Sequence, residues 1–143
     1  MIVLDTNVLS ELMRPTPNDN VVRWLDGQTS EQVFVTAITV AEILHSIARL
    51  PAGARRQRLG NIAAAMFEED LAGRILSFDA DSAVVYSQCV ATRENSGRPI
   101  SMADAQIAAI CLQHQAALAT RNLKDFEGLS MTLHDPWQVH QTG

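Results

Sequence analysis

The chain has 143 residues, of which 47% are apolar and 19% charged, so its composition is that of one ordered globular domain and not of a disordered chain. Its net charge of −5 argues against a protein that coats nucleic acid without specificity, because such binding comes largely from Lys and Arg. The sequence has no uncharged apolar run long enough for a membrane span and no basic N-terminal segment of a signal peptide, so we expect a cytoplasmic protein.

The first nine residues change character abruptly. Residues 2–4 form a short apolar run that is typical of a strand buried on both faces of a parallel sheet. Asp5 follows, and Thr6 or Asn7 can cap a helix that begins at Val8. A carboxylate at the carboxyl end of a central strand stands where open α/β sheets place their ligands. Asp5 is therefore either a metal ligand or only a helix cap, and these residues alone do not decide between the two.

Beyond this stretch, short apolar runs typical of buried strands alternate with the spacing of amphipathic helices. The predicted elements, in chain order, are a helix at residues 21–25, a strand at 33–35, a turn at 36–39, helices at 40–50 and 54–71, a strand at 75–77, a helix after Asp79 or Asp81, a helix at 101–115, a strand at 117–119, a helical turn at 121–126 and a strand at 131–133. This order predicts an α/β fold: a single domain over residues 1–143, with a mostly parallel sheet of about five strands flanked by helices. A helical hairpin is predicted around residues 40–71, and it is expected to project as a partner surface.

Cys89 and Cys111 are isolated in apolar helical patterns, which predicts buried reduced thiols.

Three carboxylates stand near the starts of predicted helices: Asp5, Glu42 and Asp104. Glu42 follows Thr39, and Asp104 follows Ser101, at the three-residue spacing of a capping box, so helix capping explains each acid singly. If the fold gathers the acids about 5 Å apart, each pair repels by roughly 3 kcal/mol at an effective dielectric of about 20. That repulsion raises at least one pKa unless a cation neutralises the cluster. A site built from carboxylates suits Mg²⁺ or Mn²⁺.

A further polar group follows the predicted strand at residues 117–119. Thr120, Asn122 and Asp125 come at close spacing where this strand ends. Thr120 or Asn122 can simply form a turn. Beside a metal cluster, however, a hydroxyl and an amide at this place suit groups that orient a ligand or a water.

Four segments together resemble a PIN-domain ribonuclease, and more closely the VapC toxins of bacterial toxin–antitoxin pairs, including their FitB-like branch. The segments are residues 2–12, 39–43, 97–109 and 119–126. They occur in this order at suitable spacing, and the resemblance covers essentially the whole chain.

The resemblance implies endonucleolytic cleavage of RNA that depends on Mg²⁺ or Mn²⁺, with Asp5, Glu42 and Asp104 as the acidic set that holds the metal. Many relatives have a fourth aspartate where this chain carries Asn122, so it stays open whether Asn122 or Asp125 fills that position. The supporting residues are expected to be Thr6, Asn7, Thr120 and Asp125. The resemblance also implies a homodimer and a small antitoxin protein that silences the toxin, and no membrane partner.

Two other interpretations remain open. One is an inactive PIN-like domain that serves as a dimerisation and partner-binding module. The other is a phosphatase or receiver domain with Asp5 as the nucleophile or phosphoacceptor. A haloacid-dehalogenase-type phosphatase needs an aspartate where this chain has Asn7, and a receiver domain needs a late lysine, for which only Lys124 is available.

Ten of the eleven basic residues are Arg, a side chain that binds phosphate bidentately and stacks on bases. The cluster of Arg55, Arg56 and Arg58 is either a solvated helix start or an RNA contact. His45 lies one helical turn beyond Glu42 and is expected not to be catalytic, and Trp24 and Trp137 are expected to pack in the core or at a dimer contact. The side chains that could hold an RNA backbone are Arg14, Arg93, Arg98, Arg121 and Lys124.

Overall fold

A five-stranded parallel sheet forms the centre of the fold. In the computed structural model, which describes residues 1–139, the strands are β1 (Ile2–Leu4), β2 (Val33–Thr36), β3 (Ile75–Leu76), β4 (Ala117–Ala119) and β5 (Leu133–His134). Their order is β3-β2-β1-β4-β5, and every neighbouring pair is parallel. The predicted α/β class and five strands are confirmed, and the sheet is entirely rather than mostly parallel. Residues 140–143, which the predicted domain includes, lie outside the described residues.

Six α-helices flank the sheet. They are α1 (Thr6–Leu12), α2 (Asp19–Asp26), α3 (Ala37–Ala48), α4 (Ala54–Ala65), α5 (Ala80–Asn95) and α6 (Met102–Gln113). The helices α3 and α4 pack together with no strand between them, which confirms the predicted helical hairpin. A π-helical turn at Met66–Asp70 extends α4, and 3-10 turns lie at Ser30–Gln32 and Leu123–Phe126. None of the helices described is long and apolar enough to cross a membrane.

The side chains of β1 alternate between two hydrophobic cores, as the pleat of a strand requires. Ile2 and Leu4 belong to a core with residues of α1, α2, α3 and α4. Val3, which is fully buried, belongs to a second core with residues of α5 and α6. Both faces of β1 are therefore covered, which explains why its sequence is a continuous apolar run.

Helix α6 is buried along much of its length, and most of its buried side chains are small. Ala105, Ala108 and Ala109 are each 0% exposed, as is Cys111 on the same helix. Cys89 and Cys111 are buried free thiols, in agreement with the prediction, and burial raises the pKa of both.

Several predicted element boundaries were wrong. Helix α1 begins at Thr6, and its cap is Asp5 rather than Thr6 or Asn7. Helix α3 begins at Ala37, because β2 leads into it without a turn and Thr36 is the cap. The last strand is Leu133–His134 and not residues 131–133, and β3 excludes residue 77.

The sheet has its switch point between β1 and β4. From β1 the chain adds β2 and then β3 on one side of β1, and it adds β4 and β5 on the other. Ligands of open α/β sheets bind outside the carboxyl ends of the strands at such a point. Asp5 follows β1 and Thr120 follows β4, so both stand at this edge.

Candidate active site

The carboxylate of Asp5 is buried and held from both sides of the switch point. It is 4% exposed. Its Oδ1 accepts the peptide N–H of Thr6 at 2.8 Å, while its Oδ2 accepts the Thr120 hydroxyl at 2.8 Å and the Asn7 amide at 3.3 Å. Burial raises the pKa of Asp5, and the charge of Glu42 adds to that increase, although the hydrogen bonds from Thr120, Thr6 and Asn7 oppose it. Asp5 therefore caps α1, and its burial makes ionisation of its carboxyl group less favourable in free energy.

The hydroxyl of Thr120 joins the ends of β1 and β4. Thr120 is fully buried, and its oxygen accepts the amide of Asn7 at 3.3 Å and the peptide N–H of Asn122 at 3.1 Å. The Asn7 side-chain oxygen in turn accepts the peptide N–H of Arg121 at 3.1 Å. This network fixes the chain after β4 against the start of α1, and it brings the predicted supporting residues Asn7 and Thr120 beside Asp5.

Glu42 reaches the same edge from α3. Its Oε1 accepts the Thr6 hydroxyl at 2.8 Å, and the Thr6 and Thr39 hydroxyl oxygens lie 3.0 Å apart. A hydroxyl has one proton, so Thr39 donates to Thr6 while Thr6 donates to Glu42. The predicted capping box of Thr39 and Glu42 was wrong: the hydroxyl of Thr36 caps α3 by accepting the N–H of Thr39, and Glu42 lies beyond the first turn. Capping therefore does not explain Glu42.

Asp104 lies in the first turn of α6. The hydroxyl of Ser101 accepts the peptide N–H of Asp104 at 3.2 Å, as the predicted cap requires. Burial and the charge of Asp5 raise the pKa of Asp104 to about 6, with smaller contributions from Asp125 and Glu42. The charges of Asp5 and Glu42 therefore act on Asp104, and the assignment of the three acids to one metal site stays a prediction.

Two residues competed for the fourth acidic position, Asn122 and Asp125. Asn122 contacts the cluster through its peptide N–H, which donates to Thr120. Asp125 is exposed, but its charge raises the pKa of Asp104, and its contribution precedes that of Glu42. Of the two candidates, Asp125 is therefore the one that places negative charge near Asp104.

No positive side chain of residues 1–139 neutralises the three acids through an ion pair. The two ion pairs in that part of the chain join Arg14 to Glu11 and Arg98 to Glu127. The same residues contain no group of three or more His, Cys, Asp or Glu side chains set to hold a metal ion. The donors nevertheless suit Mg²⁺, which binds through one or two carboxylates and keeps several waters for contact with phosphate.

Some of the basic residues proposed as RNA contacts already bind other protein groups, and others do not. Arg93 is 5% exposed, and its guanidinium donates to the backbone oxygens of Arg98 and Asp125, so the expectation that it could hold RNA was wrong. Arg121 lies over the Trp137 ring, with Cζ 5.0 Å from the ring centroid. Lys124 is exposed. Arg14 and Arg98 form the ion pairs already described, and the side chains with surface positions are Arg55, Arg56, Arg58 and His45.

Sequence reasoning missed the roles of Thr39 and Arg93. Thr39 is fully buried and supplies a hydroxyl to Thr6. Its signal in the sequence is the pair Thr36 and Thr39, either of which can cap a helix. Arg93 gave no signal, because the carbonyls to which it donates belong to distant segments: Arg98 lies between α5 and α6, and Asp125 lies in the 3-10 turn Leu123–Phe126.

Comparisons with known proteins agree with this architecture. The family model of the PIN domain matches residues 2–129. The chain is 41% identical over 138 residues to the VapC ribonuclease Y4jK of Sinorhizobium fredii, covering 96% of this chain and 99% of the relative. It is 40% identical over 137 residues to toxin FitB of Neisseria gonorrhoeae, again covering 96% and 99%.

A solved structure has the same fold over the full length. The structure of FitAB bound to an IR36 DNA fragment superposes with a TM-score of 0.93 at 38% identity, and the match covers 100% of both chains. With the matched residues and the two relatives, this likeness shows that the chain belongs to the PIN-domain family, in the branch that contains the VapC and FitB toxins.

Proposed function

We propose that this protein is a metal-dependent endoribonuclease and the toxin of a toxin–antitoxin pair. The observation that carries the proposal is the placement of Asp5 at the switch point, bound by Thr6 and Thr120, with Glu42 reaching the same Thr6 and with no ion pair to a positive side chain in residues 1–139. The charges of Asp5 and Glu42 also raise the pKa of Asp104. Carboxylates in this state favour a divalent cation and, through it, a phosphate ligand. The names of the relatives, a VapC ribonuclease and a toxin, support RNA as the substrate and toxicity as the result.

Asp5 and Asp104 would hold Mg²⁺ or Mn²⁺, directly or through water, and Glu42 would orient a water or hold a second ion. When bound, the ion supplies positive charge that makes a water more acidic and stabilises the charge developing on the phosphate. The remaining chemistry belongs to the chain. Thr120 and Asn7 fix the orientation of the Asp5 carboxylate, and the Thr39–Thr6 pair fixes that of Glu42.

Glu42 is placed to orient the attacking water, because its Oε1 is held by Thr6 while the rest of its carboxylate can accept a further hydrogen bond. The water oxygen would form a bond to phosphorus as the in-line P–O bond to the leaving oxygen breaks, the water would lose a proton to solvent, and the leaving oxygen would take one up. We assign the fourth acidic position to Asp125, since its charge is felt by Asp104. Asn122 then positions the chain through its peptide N–H to Thr120.

The proposed partners follow from the relatives. FitAB is a complex that includes a chain similar to this one over its full length. We propose that a small antitoxin protein binds this chain in the same way, and that the toxin forms a homodimer. A short reading frame next to the gene, whose product relieves toxicity when co-expressed, is the expected companion.

An RNA cleavage assay tests the proposed activity. The wild-type protein is incubated with total RNA in Mg²⁺ or Mn²⁺ and in excess EDTA, beside Asp5→Asn and the surface control Glu31→Gln. We expect cleavage by the wild type and by Glu31→Gln only with metal, and loss of at least about 100-fold for Asp5→Asn, whose amide cannot replace a charged ligand. Metal-dependent cleavage by Asp5→Asn at the wild-type rate would show that the site is wrong. Absence of cleavage by every protein would favour the inactive partner-binding module.

A further inference from the structure

We propose that Arg121, held over the ring of Trp137, is the RNA-binding cation of this site, and that Trp137 is its positioning residue. The inference rests on the proposed ribonuclease function and adds to it the residue that binds the substrate phosphate. The contact on which it is built places the Arg121 Cζ 5.0 Å from the centroid of the Trp137 ring.

The main chain of Arg121 is tied to the acidic cluster. Arg121 directly follows Thr120, which donates to Asp5 at 2.8 Å. Its own peptide N–H donates to the Asn7 side chain at 3.1 Å, and the amide of Asn7 donates to Asp5. The backbone of Arg121 is thus linked to the Asp5 carboxylate through two hydrogen bonds, both made by the side chain of Asn7.

Trp137 is itself anchored on both sides of its peptide unit. Its N–H donates to the Asp135 carboxylate at 2.9 Å, and its carbonyl accepts the Asn20 amide of α2 at 2.9 Å. Its side chain is partly buried and packs against the hydrophobic core that contains Ile2 and Leu4. A ring held in this way restricts the guanidinium above it, while the N–H donors in the guanidinium plane stay available for a phosphate.

Beside the proposed metal, the acidic charge around the site favours a fixed cation that binds the RNA phosphate. A phosphodiester that approaches Asp5, Glu42 and Asp104 meets negative charge, and the protein as a whole has a net charge of −5. The guanidinium of Arg93 donates hydrogen bonds to two backbone carbonyls. Those of Arg14 and Arg98 are paired with carboxylates.

Lys124 is the other basic residue after β4, and it provides a matched comparison. Like Arg121 it is exposed, and within residues 1–139 neither side chain forms an ion pair. Lys124 lies in the 3-10 turn Leu123–Phe126, and the described structure gives it no aromatic contact. The difference between the two is the ring of Trp137, so Arg121 is the cation that is held in place before RNA arrives.

Binding of RNA without cleavage tests the inference. Asp5→Asn protein serves as the parent, and a labelled single-stranded RNA of roughly 12 nucleotides is titrated at constant Mg²⁺ while KCl is varied from about 50 to 200 mM. In this background we expect Arg121→Ala to weaken binding about five-fold and to reduce the slope of log K against log salt by about 0.7, the change for one phosphate contact on a single strand. Lys124→Ala should cause less than half of that loss in affinity.

Variants of Trp137 separate positioning from simple stability. Trp137→Leu should weaken RNA binding about two- to five-fold with the salt slope unchanged, because the charge remains but its aromatic support is lost. Trp137→Phe should restore most of the affinity. Thermal unfolding of each variant is measured in parallel.

The possible results separate a failure of the Arg121 proposal from a failure of the proposed ribonuclease function. Unchanged affinity and slope in Arg121→Ala, or a larger loss in Lys124→Ala, would overturn the role of Arg121 while leaving the ribonuclease proposal intact. Equal weakening by Trp137→Phe and Trp137→Leu at equal thermal stability would overturn the positioning role. A parent that binds no RNA, with a wild type that cleaves none, would overturn both proposals.

Discussion

Replacing Asp104 by Asn should stabilise the metal-free protein at neutral pH while removing its activity. The pKa of Asp104 is raised to about 6 from 3.8, mainly by burial and by the charge of Asp5. The folded state therefore binds more protons than the unfolded state between about pH 4 and pH 6, so this group lowers stability as pH rises through that window. An amide has no charge to bury and removes the penalty.

The magnitude follows from the shift. About two pKa units correspond to roughly 3 kcal/mol for a fully buried group. Asp104 is only partly buried, and screening by solvent reduces the expected gain to about 1 kcal/mol. In a domain of this size that gain raises the Tm by roughly 3 °C.

Urea unfolding in EDTA at pH 7.5 and pH 4 measures the effect. We expect Asp104→Asn to be more stable than wild type at pH 7.5, and most of the difference to vanish at pH 4, where the carboxyl is protonated in the folded state. Glu31→Gln, an exposed acid outside the cluster, should change stability by less than about 0.5 kcal/mol at both pH values. With Mg²⁺ added, wild type should gain stability and Asp104→Asn should not. A variant no more stable than wild type at pH 7.5, or equally stabilised at both pH values, would refute the electrostatic reasoning.

Three further changes test other contacts of the site. Asp125→Asn should weaken Mn²⁺ binding in calorimetric titration more than Asn122→Ala does, since the charge of Asp125 acts on Asp104; equal effects would contradict the assignment of the fourth position. Thr39→Val removes the hydroxyl that donates to Thr6 and should cost about 1 kcal/mol in urea unfolding, with Thr39→Ser recovering it. Arg93→Met removes the donor to two carbonyls and should lower the free energy of unfolding by about 2–3 kcal/mol. Arg93→Lys, with a single ammonium group, should recover less than half of that loss. Full recovery of stability by Arg93→Lys would show that one contact suffices.

The parts of the site that local pattern could predict are those where a strand ends. Asp5 follows a run that is buried on both faces, and Thr120 follows another, so their position at the carboxyl edge is implied by the order of strands and helices. The start of α3 could not be predicted in the same way. Thr36 and Thr39 are equally good caps, and the choice depends on β2 running into the helix without a turn, which is a matter of how the helix packs on the sheet.

The contacts between segments that are distant in the chain could not be predicted from the sequence pattern. Arg93 was among the side chains expected to be able to hold an RNA backbone, yet it is buried and its guanidinium donates to the carbonyls of Arg98 and Asp125. The influence of Asp125 on Asp104 likewise depends on the packing of the 3-10 turn beside α6. Periodicity describes single elements, so it cannot report pairs of this kind.

Capping and metal binding are compatible uses of Asp5, because of how its oxygens are shared. A carboxylate accepts about four hydrogen bonds, roughly two at each oxygen. Among the described residues 1–139, Oδ2 accepts from Thr120 and Asn7, while Oδ1 accepts the N–H of Thr6 alone. Oδ1 therefore keeps more acceptor capacity than Oδ2 for a cation at the proposed site. The hydrogen bond that caps α1 thus leaves Asp5 able to serve both the cap and the proposed metal site, so the two interpretations of the first nine residues are compatible.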